Sequence, residues 1–325
     1  MTQKIWPLPR IEFTSVAELA RKGKAVIVHS RGAWEALEGR LRLDAGSKLE
    51  VAEATLGHFD QLVSQAEGEI VYAIGGGLAA DAGKHIASKK SLPLIIVPTA
   101  ISVDAFFTPS CALREAGGVR YAECKPADVV GIDLRVIAAA PAHLRAAGIC
   151  DVLSIATARW DWKYADDQEA NPEGMGFIEY ADHVARALLR GAIECAAAAG
   201  KGDPPGVKQL VDCLALEVQL CNQLGHSRPE EGSEHYFAYA AENHAGSGKS
   251  HAELVGPGIL AIARIQGQET GKLEHAMRAC QIPFDALSPS VIQQTLNELP
   301  DYCRKHNLPH GIAHDLNSRL IAKVA

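Results

Sequence analysis

Tyr72–Lys84 reads YAIGGGLAADAGK. A short apolar run, Ile70 to Ile74, ends in three consecutive glycines, Gly75, Gly76 and Gly77, and a helix-like pattern starts at Leu78. That order predicts a buried strand, a turn without Cβ atoms and a helix N-terminus. Such a turn lets a ligand touch the backbone, and the first turn of a helix offers unpaired N–H groups at the positive end of its dipole. A diphosphate suits the place. Any tight strand–helix turn can use glycines, so a plain turn stands beside the phosphate cradle as the second reading.

The segments on either side repeat the alternation. Lys24–His29 (KAVIVH), Lys48–Ala52, Glu69–Ile74, Leu94–Pro98 (LIIVP) and Asp128–Ile132 (DVVGI) predict strands. Gly32–Leu43, Phe59–Ala66 and Leu78–Lys89 predict the helices between them. Wholly apolar strands alternating with helices imply a parallel sheet covered on both faces. Ligands on such sheets bind beyond the carboxyl ends of the strands. The glycine turn and Thr99–Asp104 both follow strand ends, so one crevice can serve both. From about Pro141 the pattern turns helical: His143–Trp162, His183–Ala199, Val207–Leu224, Glu253–Gln266, Gly271–Ala276, Pro289–Leu299 and Ile312–Ala325 carry apolar residues every three or four positions. No strand is expected after residue 135. The expected division is an α/β domain over residues 1–140 and a helical domain over 141–325.

Two domains suit a chain of 325 residues. Apolar residues at 47% and charged residues at 22% are ordinary for a water-soluble globular protein. A net charge of −7 argues against nucleic acid and anionic membranes as partners, since both need a basic face. Met1–Ala20 has no charged-then-apolar leader, and no apolar run reaches the ~18 residues of a membrane span. A cytoplasmic, unanchored protein is expected. The eight cysteines include no C-x-x-C pair and are expected as reduced thiols.

Several polar residues can carry chemistry. Lys84, three residues after Asp81, can reach a phosphate or ribose at the glycine turn, or stand in solvent as a surface lysine. Asp104 lies in the strand exit PTAISVDAFFTPS (Pro98–Ser110), where it can serve a ligand or cap a helix. Asp151 falls inside an apolar helical pattern, where a carboxylate is costly unless paired or coordinated. His235 and His251 stand in GSEHYFAYAAENHAGSGKSHAELVG. One Asp and two His give a borderline metal three ligands and leave positions for substrate or water. Spacing alone does not separate His235 and His251 from His226 and His244.

With these residues in hand, the chain resembles the iron-containing alcohol dehydrogenase and dehydroquinate synthase superfamily, and within it the sn-glycerol-1-phosphate dehydrogenases. The matching pieces are IGGGLAADAGK (Ile74–Lys84), VPTAISVDAFFTPS (Val97–Ser110), GGVR (Gly117–Arg120), IAAAPAHLRAAGICDVLS (Ile137–Ser154), Asp161-Trp162, SRPEEGSEH (Ser227–His235) and HAELVGPG (His251–Gly258). The resemblance implies a Rossmann-like dinucleotide-binding domain, an all-α metal and substrate domain, and an active site in the cleft between them. It implies that Gly75, Gly76, Gly77, Leu78 and Ala79 cradle the diphosphate of NAD or NADP, with Asp81 and Lys84 supporting the turn. Thr99, Ser102 and Thr108 are then expected at the nicotinamide end. Asp104 is expected on a substrate hydroxyl. Asp151, His235 and His251 are expected to bind one divalent metal per chain, zinc first and nickel or iron as alternatives, with Asp104 and Asp151 as the catalytic pair.

The chain departs from the family pattern in three places. Tyr239 stands where the subgroup has a substrate-contacting histidine. Cys150 replaces a small residue before Asp151. His29-Ser30-Arg31 ends a strand where NAD-preferring relatives carry an acid, so Arg31 suggests a 2′-phosphate contact or a plain surface arginine. The leading expectation is a dehydrogenase that interconverts a small phosphorylated ketone and its alcohol, dihydroxyacetone phosphate and sn-glycerol 1-phosphate first. The alternatives are a polyol dehydrogenase such as a glycerol dehydrogenase, a sugar-phosphate cyclase that uses NAD catalytically, and an inactive nucleotide-binding protein. The expected assembly is a homo-oligomer, a dimer or larger.

Overall fold

The computed structural model describes residues 4–246 and 248–324. Its strands are β1 (Arg10–Phe13), β2 (Lys24–His29), β3 (Asp44–Glu50), β4 (Ile70–Gly75), β5 (Leu94–Pro98), β6 (Ser110–Glu115), β7 (Gly118–Glu123) and β8 (Val129–Ile132). Six of them form one sheet in the order β1-β8-β5-β4-β2-β3, and each neighbouring pair is parallel. The helices α1 (Arg31–Leu37), α2 (Leu56–Gln65) and α3 (Gly77–Lys90) cover it. Successive strand side chains point to opposite faces, and here both faces are apolar. Val26, Val71 and Ile96 pack with Phe59 of α2 and Ile86 of α3, while Ile27, Tyr72 and Val97 pack with Leu37 of α1 on the other side.

The chain steps from β2 outward to β3, then returns to the far side of β2 for β4. The carboxyl ends of β2 and β4 therefore flank a topological switch point, where a parallel sheet leaves a crevice. Gly75–Gly77 lie at that crevice.

After β8 the chain is helical: α4 (Leu134–Ala139), α5 (Ala142–Arg145), α6 (Ile149–Asp167), α7 (Glu179–Lys201), α8 (Pro204–Leu224), α9 (Ser233–Ala241), α10 (His251–Ile265), α11 (Gly271–Ala279), α12 (Pro289–Lys305) and α13 (Ser318–Ile321). Trp162 of α6 is fully buried in this half, with its indole N–H donated to the carbonyl of Met175.

Four differences from the sequence reading have physical causes. The helix expected over His143–Trp162 is two helices, broken at residues 146–148 where the Gly148 amide donates to the Ile101 carbonyl. The break moves Asp151 from a helix interior to the first turn of α6. α9 gave no helical signal because all nine of its residues are buried, so it has no polar face to set a period. The β6–β7 hairpin turns on Ala116 and Gly117, with φ of 51° and 77°, and lacks the Asn-Gly or Asp-Gly that announces such a turn. The edge strand β1 is four residues long, too short to show in the pattern. Two expected helices are also shorter than their patterns: α1 ends at Leu37, and the C-terminal pattern yields a 3-10 turn at Ile312–Asp315 followed by α13. Ala325 lies outside the described residues.

Candidate active site

A cleft of about 880 Å³ runs from the carboxyl ends of the strands to the helical half, and both halves line it. Gly76, Gly77, Leu78 and Ala79 form part of its wall. Gly75 has φ of 143°, and a Cβ there would come 2.9 Å from Ser30 Oγ. Cβ atoms on Gly76 and Gly77 would meet Ser102 Oγ at 3.2 Å and Val103 Cγ2 at 3.0 Å. Side chains at these positions would fill the gap between the turn and the loop after β5. No side chain caps α3, so its first-turn amides face the cleft without a partner of their own. These features fit a diphosphate.

Thr99, Ser102, Asp104 and Asp81 also line the cleft. Lys84 lies neither on the cleft wall nor at the surface. It is fully buried, donating to the carbonyls of Ala105 (2.8 Å) and Ser110 and to Thr108 Oγ1 (2.9 Å), and it pairs with Asp81 at 2.9 Å. Asp81 also accepts from the Ala112 amide at 3.2 Å. One ammonium thus ties α3 to the loop that carries Asp104. Thr108 belongs to that tie and is absent from the cleft wall.

Asp151, His235 and His251 come from three helices, and their ligand atoms lie within 4.8 Å of one another. Asp151 Oδ2 accepts the Asp104 amide at 2.8 Å. Its buried Oδ1 lies 3.0 Å from His251 Nε2 yet receives no aligned hydrogen bond. A carboxylate oxygen left this way inside a protein is costly, and a cation bound between it and the two rings removes the cost. The His226 and His244 alternatives fall elsewhere: His226 packs on Trp162 and His244 bonds Glu298.

Neighbouring groups orient the set. Glu234 Oε1 accepts from His235 Nδ1 at 2.9 Å and from the Gly232 amide at 2.7 Å, and its Oε2 accepts from Thr157 at 2.8 Å. The ring therefore keeps Nε2 for a ligand, the second-sphere arrangement usual for metal-binding histidines. Burial opposes a proton on His235, but the Glu234 bond and the charges of Glu234, Glu231 and Asp151 outweigh it and raise the pKa to about 9. Asp161 fixes the start of α9 by accepting from the Ser233 amide at 2.7 Å, and it holds Ile312 N at 3.0 Å. Gly258 lets α10 lie against α9, since a Cβ there would sit 2.6 Å from the Glu234 carbonyl.

The structure adds residues the sequence reading left out. Glu217 of α8 and Glu230 converge with Asp104 on one point, again with ligand atoms within 4.8 Å of each other. Neither oxygen of Glu217 has a hydrogen-bond partner, and burial first, then Glu230 and Asp104, push its carboxyl well above the usual range. Burial and the charge of Asp151 raise Asp104 to about 7. Three acids far apart in sequence showed no common spacing. Tyr239 lines the cleft, donates to Glu231 at 2.8 Å and lies 2.7 Å from the hydroxyl of Tyr121. Lys249 lines the same wall, loosely paired with Glu253 at 3.8 Å, whereas Arg114 is clamped bidentately by Glu242. Arg31 pairs with Glu50 at 3.2 Å. Cys150 is fully buried, a packing residue behind Asp151.

A family model described as iron-containing alcohol dehydrogenase matches residues 13–141. The glycerol-1-phosphate dehydrogenase [NAD(P)+] of Sulfurisphaera tokodaii is 29% identical over 241 residues, which cover 73% of this chain and 68% of that one. The enzyme of the same name from Methanosarcina mazei is 28% identical over 278 residues, 83% of this chain and 77% of its own. Among solved structures, a probable glycerol dehydrogenase from Sinorhizobium meliloti has a TM-score of 0.75 at 20% identity, covering 100% of this chain and 99% of the other. Glycerol dehydrogenase from Schizosaccharomyces pombe has a TM-score of 0.70 at 19% identity, covering 100% and 90%. At these identities the structural likeness speaks for the fold.

Proposed function

We propose that this chain belongs to the iron-containing alcohol dehydrogenase family, whose model matches residues 13–141, and that it interconverts a small phosphorylated ketone and its alcohol, using NAD(P) and one divalent metal. One observation carries the reading: Asp151, His235 and His251 converge across a single cleft from an uncapped glycine turn. Those three residues would hold the cation and Gly75–Ala79 the dinucleotide diphosphate. The bound cation supplies Lewis acidity to the ketone oxygen, and the dinucleotide gives or takes the hydride.

The chain's own residues do the positioning. Glu234 turns His235 so that Nε2 faces the cleft. Asp104, held through its amide on Asp151, offers its carboxyl to a substrate hydroxyl. Thr99 and Ser102 line the same cleft, where they would meet the nicotinamide end. Burying the reacting atoms between two domains excludes water and aligns donor with acceptor.

The phosphate follows from the relatives' names and from Lys249. A phenol is neutral at pH 7, so Tyr239 offers a phosphate one hydrogen bond and no charge. Among the described residues, Lys249 is a cation on that wall with only a loose partner, Glu253 at 3.8 Å. Dihydroxyacetone phosphate and sn-glycerol 1-phosphate are the first candidates. Zinc is the first metal, because two imidazoles and a carboxylate suit a borderline ion.

The test is a panel of triose phosphates, glycerol and other polyols, assayed with NADH, NADPH and their oxidised forms after reconstitution with zinc, nickel or iron. Turnover with phosphorylated substrates that falls at least about tenfold in Lys249→Ala supports the reading. Turnover confined to unphosphorylated polyols assigns a polyol dehydrogenase instead. A reaction that returns the cofactor unchanged assigns a cyclase.

A further inference from the structure

A second group of ligand-type side chains lies outside the cleft. His85 of α3, Cys111 of β6 and Cys124, which follows β7, bring their ligand atoms within 4.8 Å of one another. All three are buried, at 4%, 0% and 5% exposure. The two sulfurs are 3.4 Å apart. Two thiolates on one tetrahedral zinc, with bonds of about 2.3 Å, place their sulfurs roughly 3.7 Å apart. The pair thus already has nearly the spacing that an ion requires. A disulfide requires about 2 Å.

The histidine supplies an independent observation. Its Nε2 is 2.8 Å from Asp60 Oδ1, which leaves Nδ1 for the thiols. A carboxylate on the far nitrogen is the usual second-sphere support of a metal-binding histidine. The same arrangement holds His235 in the cleft. Cys124 also lines a shallow surface pocket with Ser88, Glu123 and Lys125, which gives an ion and a water a way in.

We propose that His85, Cys111 and Cys124 form a second, structural site for zinc or a similarly soft divalent ion, with Asp60 orienting His85 and water completing the coordination. The site clips the β6–β7 hairpin to α3. That hairpin carries Arg114, Val119 and Tyr121, which line the cleft.

Cobalt(II) tests the site in the full-length protein without any turnover. The protein is stripped of metal under reducing conditions and titrated with cobalt. About two equivalents should bind per chain, one of them producing the intense near-ultraviolet sulfur-to-cobalt band that the sulfur-free Asp151 site cannot produce. Cys124→Ser should remove the band and one equivalent, while Asp151→Asn should remove one equivalent and keep the band. This split separates the proposal from the dehydrogenase reading. Should Cys124→Ser fail to fold, the wild type still answers through cysteine alkylation mapped by mass spectrometry. Zinc should slow modification of Cys111 and Cys124 by at least about tenfold relative to the metal-free protein. Cobalt binding without the band, or alkylation of both thiols unchanged by zinc, overturns the proposal.

Discussion

Glu234 illustrates how much of the site rests on residues beside the ligands. Its carboxylate holds His235, the Gly232 amide and Thr157 at once. Glu234→Gln keeps the shape and loses the charge, so zinc affinity should fall about 10- to 100-fold in competition with a chromogenic chelator. Unchanged affinity would mean that His235 is not a ligand. Tyr239→His adds a group that can carry charge where the phenol now meets Glu231 and Tyr121. Efficiency on phosphorylated substrates should rise about tenfold with little change on polyols; an equal effect on both would place the residue away from the phosphate. At this scale the sequence was partly legible. The glycines and Asp151 announced themselves by residue type and surroundings, but choosing His235 over His226 required family resemblance. Spacing left Lys84 open between a phosphate contact and a surface lysine, because spacing says nothing about burial.

Among elements, α8 and α9 carry the most to test. Glu217 buries a carboxyl without a hydrogen-bond partner, and its pKa is raised in the fold. The folded chain therefore keeps this proton where the unfolded chain has lost it. Stability from this group is complete below about 4.5 and declines as pH rises toward the elevated folded value, at about 1.4 kcal/mol per pH unit. Glu217→Gln should flatten that slope and stabilise the metal-free protein near neutral pH, as read by urea denaturation between pH 5 and 7. A steeper slope in the variant would contradict the assignment. Gly258→Ala forces a methyl against the Glu234 carbonyl and the Phe237 ring. It should cost about 1–3 kcal/mol and weaken zinc binding, since α9 carries His235; thermal melts and metal titration measure the two effects. Elements with one apolar face were visible in the sequence. α9 was not, because burial on all sides erases the period that reveals a helix.

For the whole molecule, the parallel sheet and helical half were legible because apolar strands stop after residue 132 and helical periods take over. The cleft between them was not, since it forms only where loops after β4 and β5 meet α6, α9 and α10. The glycine turn and the Asp151, His235 and His251 cluster both face it. NADH at about 100 times its Kd should add about 2.7 kcal/mol of stability in a thermal melt, and this gain should persist in the metal-stripped protein. A gain seen only with metal present would show that the cradle is incomplete without it. One joint governs how the two walls relate. Ile101 N donates to Arg145 O at 2.9 Å, and Gly148 N returns a bond of 2.9 Å to Ile101 O. A Cβ on Gly148 would touch the Val103 amide at 3.0 Å. The cofactor loop and the root of α6 are thus spliced by main chain, as neighbouring strands are. Mechanically the cleft has one fixed jaw, in which the loop after β5 and Asp151 keep their spacing through main-chain bonds. The rest of the wall comes from α9 and α10, which hold His235 and His251, and from Lys249. Substitutions on α9 and α10 can therefore reshape that wall while the main-chain splice between the loop after β5 and α6 keeps its bonds.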